Sequence, residues 1–174
     1  MSIKLNIWTT IIGASAISTA ATAGTVTVEV ELPRISTAEY HRPYAAGWIE
    51  NAGGAHQANL FLWYDVDMRN NGGAKWLQDL RAWWRKSGRN LTTPIDGVSS
   101  ATKAPGRQTL SFDSNSPAFK ALASGSYVLN VEVSREKGGH ELVKVPFTWD
   151  ARKATAGSAK GSEELGTVKL AYKP

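Results

Sequence analysis

One heptapeptide, Asp96-Gly97-Val98-Ser99-Ser100-Ala101-Thr102, combines residue types that could present a hydroxyl group for covalent chemistry. Ser99, Ser100 and Thr102 each carry a hydroxyl, and the small side chain of Ala101 keeps bulk away from that of Thr102. Asp96 and Ser99 can accept hydrogen bonds from nearby backbone N–H groups and so fix the shape of the loop. A threonine hydroxyl is a poor nucleophile unless a base or a metal activates it. The chain therefore needs only to hold Thr102 on an exposed loop if a second enzyme supplies that activation.

The heptapeptide resembles the acceptor site for covalent flavin attachment outside the bacterial cytoplasm, whose pattern is Asp-x-x-Ser/Thr-Gly-Ala-Thr. The resemblance implies that a periplasmic FMN transferase joins the phosphate of FMN to Thr102 as a phosphoester. Ser100 stands where the pattern usually has glycine, which allows a positive φ or a close approach of the transferase. We therefore expect slower modification, or none. Once attached, the flavin phosphate could pair with Lys103, Arg107 or Arg42.

Two tryptophans near the heptapeptide are candidates for contact with the flavin. Trp83 and Trp84 could flank its ring, because indole stacks well on flat ligands. The alternative for at least one of them is the core face of a helix, and the heptapeptide itself could be only a polar loop that caps the next strand. The candidate cofactor-binding residues are Asp96, Ser99, Ser100, Ala101, Thr102, Lys103, Trp83 and Trp84.

The N-terminus has the pattern of a secretory signal peptide. Lys4 precedes an apolar stretch from Ile7 to Ile17, and a small-residue run ends with Ala21-Thr22-Ala23. The apolar stretch is too short for a membrane span. We predict cleavage after Ala23, which leaves residues 24–174 as one exported domain in the periplasm.

The composition narrows the classes of function. The chain contains no cysteine, which excludes disulfides, thiolate metal sites and cysteine catalysis. Its net charge of +5 is mild and spread along the sequence, and export makes nucleic acid an unexpected partner. Seven tryptophans form an unusual aromatic load for a chain of 174 residues, and suit both a packed core and a flat ligand.

Alternating apolar and polar residues predict a mainly β domain. Seven short strands within residues 24–174 indicate an immunoglobulin-like antiparallel β-sandwich. The clearest hairpin joins 127–133 to 143–149 through Lys137-Gly138-Gly139, and Pro146 should place the second of these strands at a sheet edge. Ala154 to Ser162 is predicted to be a flexible loop. The remaining predicted strands are 25–32, 44–50, 58–63, 108–112 and 168–172.

A helix-loop insertion at about 65–106 interrupts the strand pattern. We expect the core between two sheets not to need it, and long loops in compact domains are often functional. Gly88 is a natural stop for a short helix. The residues at helical spacing are Trp76, Leu77, Leu80, Trp83 and Trp84, and at least one of the three tryptophans should lie near the heptapeptide.

Segments along nearly all of the exported part resemble one bacterial family, the predicted periplasmic proteins with domain of unknown function 2271. The resemblance implies association with the periplasmic FMN transferase and with PepSY-type membrane proteins, and hence electron transfer at the cell envelope. The segments that carry the resemblance are Tyr40-His41-Arg42-Pro43-Tyr44, Trp48-Ile49-Glu50, Leu62-Trp63-Tyr64, Trp76 to Arg85, Asp96 to Ser99, Ala104-Pro105-Gly106, and Gly125 to Gly139.

Other sites find little support in the sequence. His140-Glu141 lacks the second histidine of a zinc-protease motif. Asp65-Val66-Asp67 begins like a calcium loop, but Arg69 occupies the next ligand position. Nothing supports a Ser99–His41–Asp96 triad. Besides a covalent flavoprotein, the sequence leaves open a cofactor-free periplasmic binding or assembly module that docks a membrane redox partner.

Overall fold

The computed structural model describes residues 23–174. The predicted signal peptide therefore lies outside the described residues, apart from Ala23. Within 23–174, no helix is long and apolar enough to cross a membrane.

Nine strands occur in the described part of the chain, where the sequence predicts seven. Six of the seven predicted segments differ from the observed strands by at most three residues at either end, and the first coincides with its strand. The strands are β1 (Thr25–Leu32), β2 (Tyr44–Asn51), β3 (His56–Trp63), β4 (Ser99–Ser100), β5 (Gly106–Asp113), β6 (Gly125–Ser134), β7 (His140–Trp149), β8 (Thr155–Lys160) and β9 (Thr167–Lys173).

The strands form two sheets that share one hydrophobic core. The order is β5-β1-β9-β8 in the first sheet and β4-β3-β2-β6-β7 in the second. The core takes the alternate apolar residues of both sheets, such as Val28 from β1 and Val131 from β6, each fully buried. The mainly β prediction is confirmed, whereas the immunoglobulin-like connectivity stays a prediction.

The predicted hairpin is confirmed, because β6 and β7 pair antiparallel from Gly125–Trp149 to Ser134–His140. Pro146 lies on β7, the edge strand of the second sheet, as a residue without a backbone N–H requires.

The prediction of a flexible loop from Ala154 to Ser162 is wrong. Most of this stretch is β8, which pairs antiparallel with β9 from Thr155–Tyr172 to Lys160–Thr167. Its residues are small and have weak β-propensity, so the strand depends on the ladder to β9 rather than on its own side chains.

The insertion does not contain the single helix that the spacing predicts. A 3-10 segment, Arg69–Asp79, is separated from helix α1 (Arg81–Lys86) by Leu80, whose ψ of 73° is not helical. A short 3-10 turn follows at Gly88–Asn90, and helix α2 (Pro117–Lys120) lies outside the insertion.

Within residues 23–174, the core between the two sheets takes no residue from the insertion, as the sequence predicts. The insertion builds a second core on the outer face of the five-stranded sheet. Leu77, Leu80 and Trp83 pack there against the outward side chains of β2 and β3, namely Ala46, Trp48, Leu62 and Tyr64. Apolar residues thus cover both faces of this sheet, and the insertion keeps the outer face out of water.

A buried carboxylate joins the insertion to the sheet. Glu132 of β6 has no exposed surface, and its two oxygens accept hydrogen bonds from the backbone N–H groups of Ala82 (2.9 Å) and Trp83 (2.7 Å). These are unpaired donors in the first turn of α1, where a negative charge is favourable. His140 Nε2 lies 2.5 Å from the same carboxylate.

Glu132→Ala should lower the free energy of unfolding by about 3 kcal/mol, because it leaves two backbone donors of α1 without their partner. Glu132→Gln keeps the volume and one acceptor oxygen and should lose less. Urea denaturation followed by tryptophan fluorescence measures both changes. Glu163→Ala, at an exposed carboxylate, is the control and should stay within about 0.5 kcal/mol of wild type. Equal stability of Glu132→Ala and this control would contradict the role of Glu132.

A second carboxylate organises the turn between β8 and β9. Glu141 accepts hydrogen bonds from the Ser162 hydroxyl and from the backbone N–H groups of residues 162–165, at 2.6 to 3.2 Å. Partial burial raises the pKa of Glu141, but the hydrogen bonds from Ser162 and Leu165 outweigh it and lower the pKa from 4.5 to about 2.

Because its folded pKa is depressed, Glu141 contributes stability that is present above pH 4.5 and is lost as the pH falls towards 2. Glu141→Gln should cost about 2 kcal/mol at neutral pH, after allowance for solvent screening. It should also flatten the pH dependence of the free energy of unfolding across that acidic window, measured by urea denaturation at a series of pH values. Glu163→Gln should keep the wild-type slope. An unchanged slope in Glu141→Gln would refute this assignment.

Candidate functional site

The heptapeptide is anchored to the edge of the five-stranded sheet. Its residues Ser99 and Ser100 form β4, which pairs parallel with Leu62 and Trp63 of β3. The N–H of Leu62 donates to the Val98 carbonyl at 2.9 Å, and the N–H of Tyr64 donates to the Ser100 carbonyl at 3.1 Å. These bonds fix the backbone immediately before Thr102.

The turn that precedes β4 is closed by Ser99. Its hydroxyl oxygen accepts a hydrogen bond from the Ile95 N–H at 2.9 Å, and its own N–H donates to the Ile95 carbonyl at 2.9 Å. Gly97, inside this turn, has φ of +67°, which suits glycine. Ser99 thus shapes the loop as expected. Asp96 is exposed, and among the described residues its carboxylate has no hydrogen-bond partner, so the same role is not seen for Asp96.

Ser100 has the extended backbone of β4 and not a positive φ. In residues 23–174, a positive φ outside glycine occurs at Asn70, Asn71 and Lys137 only. A serine therefore fits this position without backbone strain, and the first reason to expect impaired modification does not apply to this conformation. The second, a close approach of the transferase, stays a prediction.

Thr102 lies at a groove of about 560 Å³ on the same end of the protein as the β6–β7 turn. Its side chain is half-buried, and Ala101 before it is exposed. The groove is lined by His41, Arg42, Tyr44, Asp65, Met68, Trp76, Asp79, Arg81, Thr102 and residues 134–137. Thr102 therefore lines a concave surface that is partly apolar.

The structure separates the three tryptophans of the insertion. Trp76 lines the groove and is 49% exposed. Trp83 is fully buried in the outer core, where its Nε1 donates to Asn59 Oδ1 at 2.9 Å. Trp84 is half-buried beside that core and does not line the groove. The interpretation of Trp83 as a stacking residue is corrected, because its burial leaves no ring face for a ligand.

The signal for Trp76 is present in the sequence but faint. Leu77 lies in the 3-10 segment, Leu80 at the break that follows it and Trp83 in α1, and all three are buried in the outer core. Trp76 directly precedes Leu77 and is exposed, but α-helical spacing groups it with these buried residues. One helical spacing does not include the non-helical break at Leu80.

Of the three cations expected near the flavin phosphate, only Arg42 shares the groove with Thr102. Lys103 points to the opposite side, where its Nζ lies 5.8 Å from the Trp63 ring in a cleft between the sheets. Arg107, on β5, has Glu29 at 3.9 Å. Thr102 and Lys103 lie in the connection between β4 and β5, and they line different cavities.

The groove contributes two further arginines that the sequence did not indicate. Arg81, at the start of α1, is exposed, and Arg135 is held by Glu164 through hydrogen bonds of 2.9 and 2.8 Å. Arg135 is 9% exposed, and its Nη1 has no partner among the described residues. Acidic groups are also present in the wall, at Asp65, Asp79 and Glu136, so the groove is mixed in charge.

The structure does not assemble the other sites tested in the sequence. Within the described residues, no three His, Cys, Asp or Glu side chains are grouped to hold a metal ion. His41 lies 3.0 Å from Glu39 and 3.6 Å from Glu136, at the groove. Ser99 lines the cleft on the other side, so the structure does not bring His41 and Ser99 together as a triad requires.

Comparison with known proteins gives one family. A family model described as "Predicted periplasmic protein (DUF2271)" matches residues 25–167, which is most of the chain. No curated protein and no solved structure matches.

Ser99→Ala should loosen the turn at 95–99 with a cost of roughly 1 kcal/mol or less in global stability, since one hydroxyl acceptor is lost. Amide hydrogen exchange should speed up at Ile95. Ser124→Ala, at an exposed serine in a different loop, serves as the control and should leave that exchange unchanged. Protection at Ile95 equal to wild type would mean that Ser99 does not hold the turn.

Proposed function

The chain belongs to the DUF2271 family of predicted periplasmic proteins, and we propose that it carries FMN covalently on Thr102 and moves electrons at the cell envelope. In this role the protein has no substrate turnover of its own. The redox chemistry belongs to the flavin, and the protein supplies its attachment, orientation and surroundings.

The observation that carries the proposal is the placement of Thr102. The residue ends a heptapeptide that resembles a flavin acceptor and lies two residues after β4, the strand hydrogen-bonded to β3. It lines the groove that also contains Arg42 and Trp76. Those surroundings suit a phosphoester on one side and a flat ring on the other. Ser100 adopts a backbone that serine accepts readily, which removes one objection to the heptapeptide as an acceptor.

The attachment reaction is a phosphoryl transfer from FAD. The Thr102 Oγ forms a bond to the phosphorus of the FMN half, and the bond from that phosphorus to the AMP oxygen breaks. AMP leaves, and the hydroxyl proton passes to a base of the FMN transferase, which also provides Mg²⁺. The protein needs to supply only an accessible hydroxyl, because the activating groups come from the transferase.

By the family resemblance, the proposed partners are the periplasmic FMN transferase for loading and a PepSY-type membrane protein for electron exchange. A tethered flavin at the surface can meet such a partner without leaving its carrier.

The exposure of Met68 and Trp76 in one groove supports a second function, that of a cofactor-free binding module. Exposed apolar side chains that cluster mark contact sites for partners. The two functions differ in whether the chain ever gains FMN.

The test is a loading reaction. Purified protein, a periplasmic FMN transferase, FAD and Mg²⁺ should give a yellow product whose intact mass increases by FMN less water. Thr102→Ala should abolish both changes and keep the wild-type unfolding curve. Thr92→Ala, at an exposed threonine ten residues earlier in the same loop, should load normally. Loading of Thr102→Ala would place the flavin elsewhere.

Ser100→Gly restores the usual pattern of the acceptor and should load at least as fast as wild type. Ser99→Ala should slow loading less than Thr102→Ala, because Ser99 only shapes the turn. If wild type stays unmodified while Ser100→Gly takes up flavin, the chain is a degenerate member and the binding module becomes the function. If neither is modified, flavin attachment is refuted.

A further inference from the structure

Exposed apolar surface concentrates at the groove. In the described part of the chain, three large hydrophobic side chains are exposed, namely Met68 (40%), Trp76 (49%) and Leu91 (39%). Two of these, Met68 and Trp76, line the groove that Thr102 also lines. The exposed half of the Trp76 indole leaves apolar surface in water, and burying it would be favourable. This surface is therefore suited to a flat apolar ligand.

The backbone under Trp76 is held firmly by its neighbours. Leu77, the next residue, is 1% exposed in the outer core. Gly73, three residues earlier, packs so closely that an added Cβ would lie 2.1 Å from the Asp65 carbonyl oxygen. Lys75 Nζ lies 5.1 Å from the centre of the Trp76 ring. The indole is therefore presented from an anchored segment, which reduces the entropy cost of binding a ring.

We infer that Trp76 is the platform on which the isoalloxazine ring of a Thr102-linked FMN docks, with Met68 at the ring's edge; this inference rests on the proposed function. The groove volume of about 560 Å³ falls within the roughly 300–1,000 Å³ of pockets that hold compact organic ligands. A ribityl chain from Thr102 needs only to cross the groove in which both residues lie. The thioether of Met68 is a favourable neighbour for an aromatic edge.

The polar wall of the groove matches the other parts of the ligand. Arg42 and Arg81 make no salt bridge within 4.0 Å among residues 23–174, so both guanidinium groups are available to the flavin phosphate or to the pyrimidine carbonyls. The wall also carries Asp65, Asp79 and Glu136, so a flavin in this groove would meet both signs of charge.

The cleft on the other side of the heptapeptide suits the ring less well. Of its three aromatic residues, Phe61 and Trp63 are each 1% exposed and present almost no surface for stacking, and Phe112 is half-buried. Since Thr102 faces the groove and Lys103 faces the cleft, the tether directs the flavin towards Trp76.

The experiment compares flavin-loaded wild type, Trp76→Leu and Leu91→Ala, each confirmed by intact mass. Among the three large exposed hydrophobic side chains of residues 23–174, Leu91 is the one that does not line the groove, so Leu91→Ala is the matched control. Flavin fluorescence of each protein is compared with that of its own tryptic flavopeptide, which has the same phosphoester but no groove. Circular dichroism in the visible flavin bands reports a fixed ring independently of quenching.

Wild type and Leu91→Ala should be quenched relative to the flavopeptide and should have induced circular dichroism. Trp76→Leu should lower the ratio of docked to free flavin about fivefold, the loss expected from one aromatic stacking contact. Its fluorescence should rise and its circular dichroism should fall. Trp76→Phe, which keeps a ring face, should retain most of the circular dichroism.

Two failures are distinguishable. If no variant gains the mass of FMN less water, the proposed function fails and the inference fails with it. If wild type is loaded but fluoresces like its flavopeptide, or if Trp76→Leu behaves like Leu91→Ala, the proposed function survives and docking on Trp76 is overturned.

Discussion

The five-stranded sheet has apolar side chains on both faces, and the rest of the structure follows from the need to bury the outer one. The inner face packs on the other sheet, whereas the insertion covers the outward side chains of β2 and β3. Glu132 is fully buried on that outer face. Its two oxygens accept hydrogen bonds from two backbone donors of α1, which fixes where the insertion packs on the sheet. A purely apolar contact would allow the insertion to slide, whereas these two bonds set its position.

The packing of the insertion on the sheet also forms the groove. Leu77 and Trp83 are buried in the outer core. Trp76, which directly precedes Leu77, lies at the edge of that core and is exposed. The chain then returns through the heptapeptide to pair β4 with β3, and Thr102 joins Trp76 in the lining of the groove. The β6–β7 turn closes the remaining side, held by the buried Arg135–Glu164 pair. Local turns and long-range packing thus jointly create a surface that no single segment contains.

Local pattern was enough to predict much of the sheet but little of the groove. The alternation of Val26, Val28 and Val30 predicts β1, because one side of a strand in a two-sheet core must be apolar. β8 was missed because small residues give no such alternation and the strand depends on its partner β9. Trp76 and Trp83 have the same side chain seven residues apart, and a carboxylate some fifty residues away in β6 helps to decide which is buried. The heptapeptide could be recognised locally, whereas its meeting with Arg42 depends on tertiary structure.

Covalent attachment of FMN is tested most directly by the mass of the Thr102 peptide in protein from the native periplasm. Trypsin should release a peptide from Asn90 to Lys103, which contains the whole heptapeptide. Tandem mass spectrometry of protein purified from the native periplasm should find this peptide heavier by FMN less water, with fragment ions that place the added mass on Thr102. Only the unmodified peptide, from cells that contain an active FMN transferase, would contradict the account.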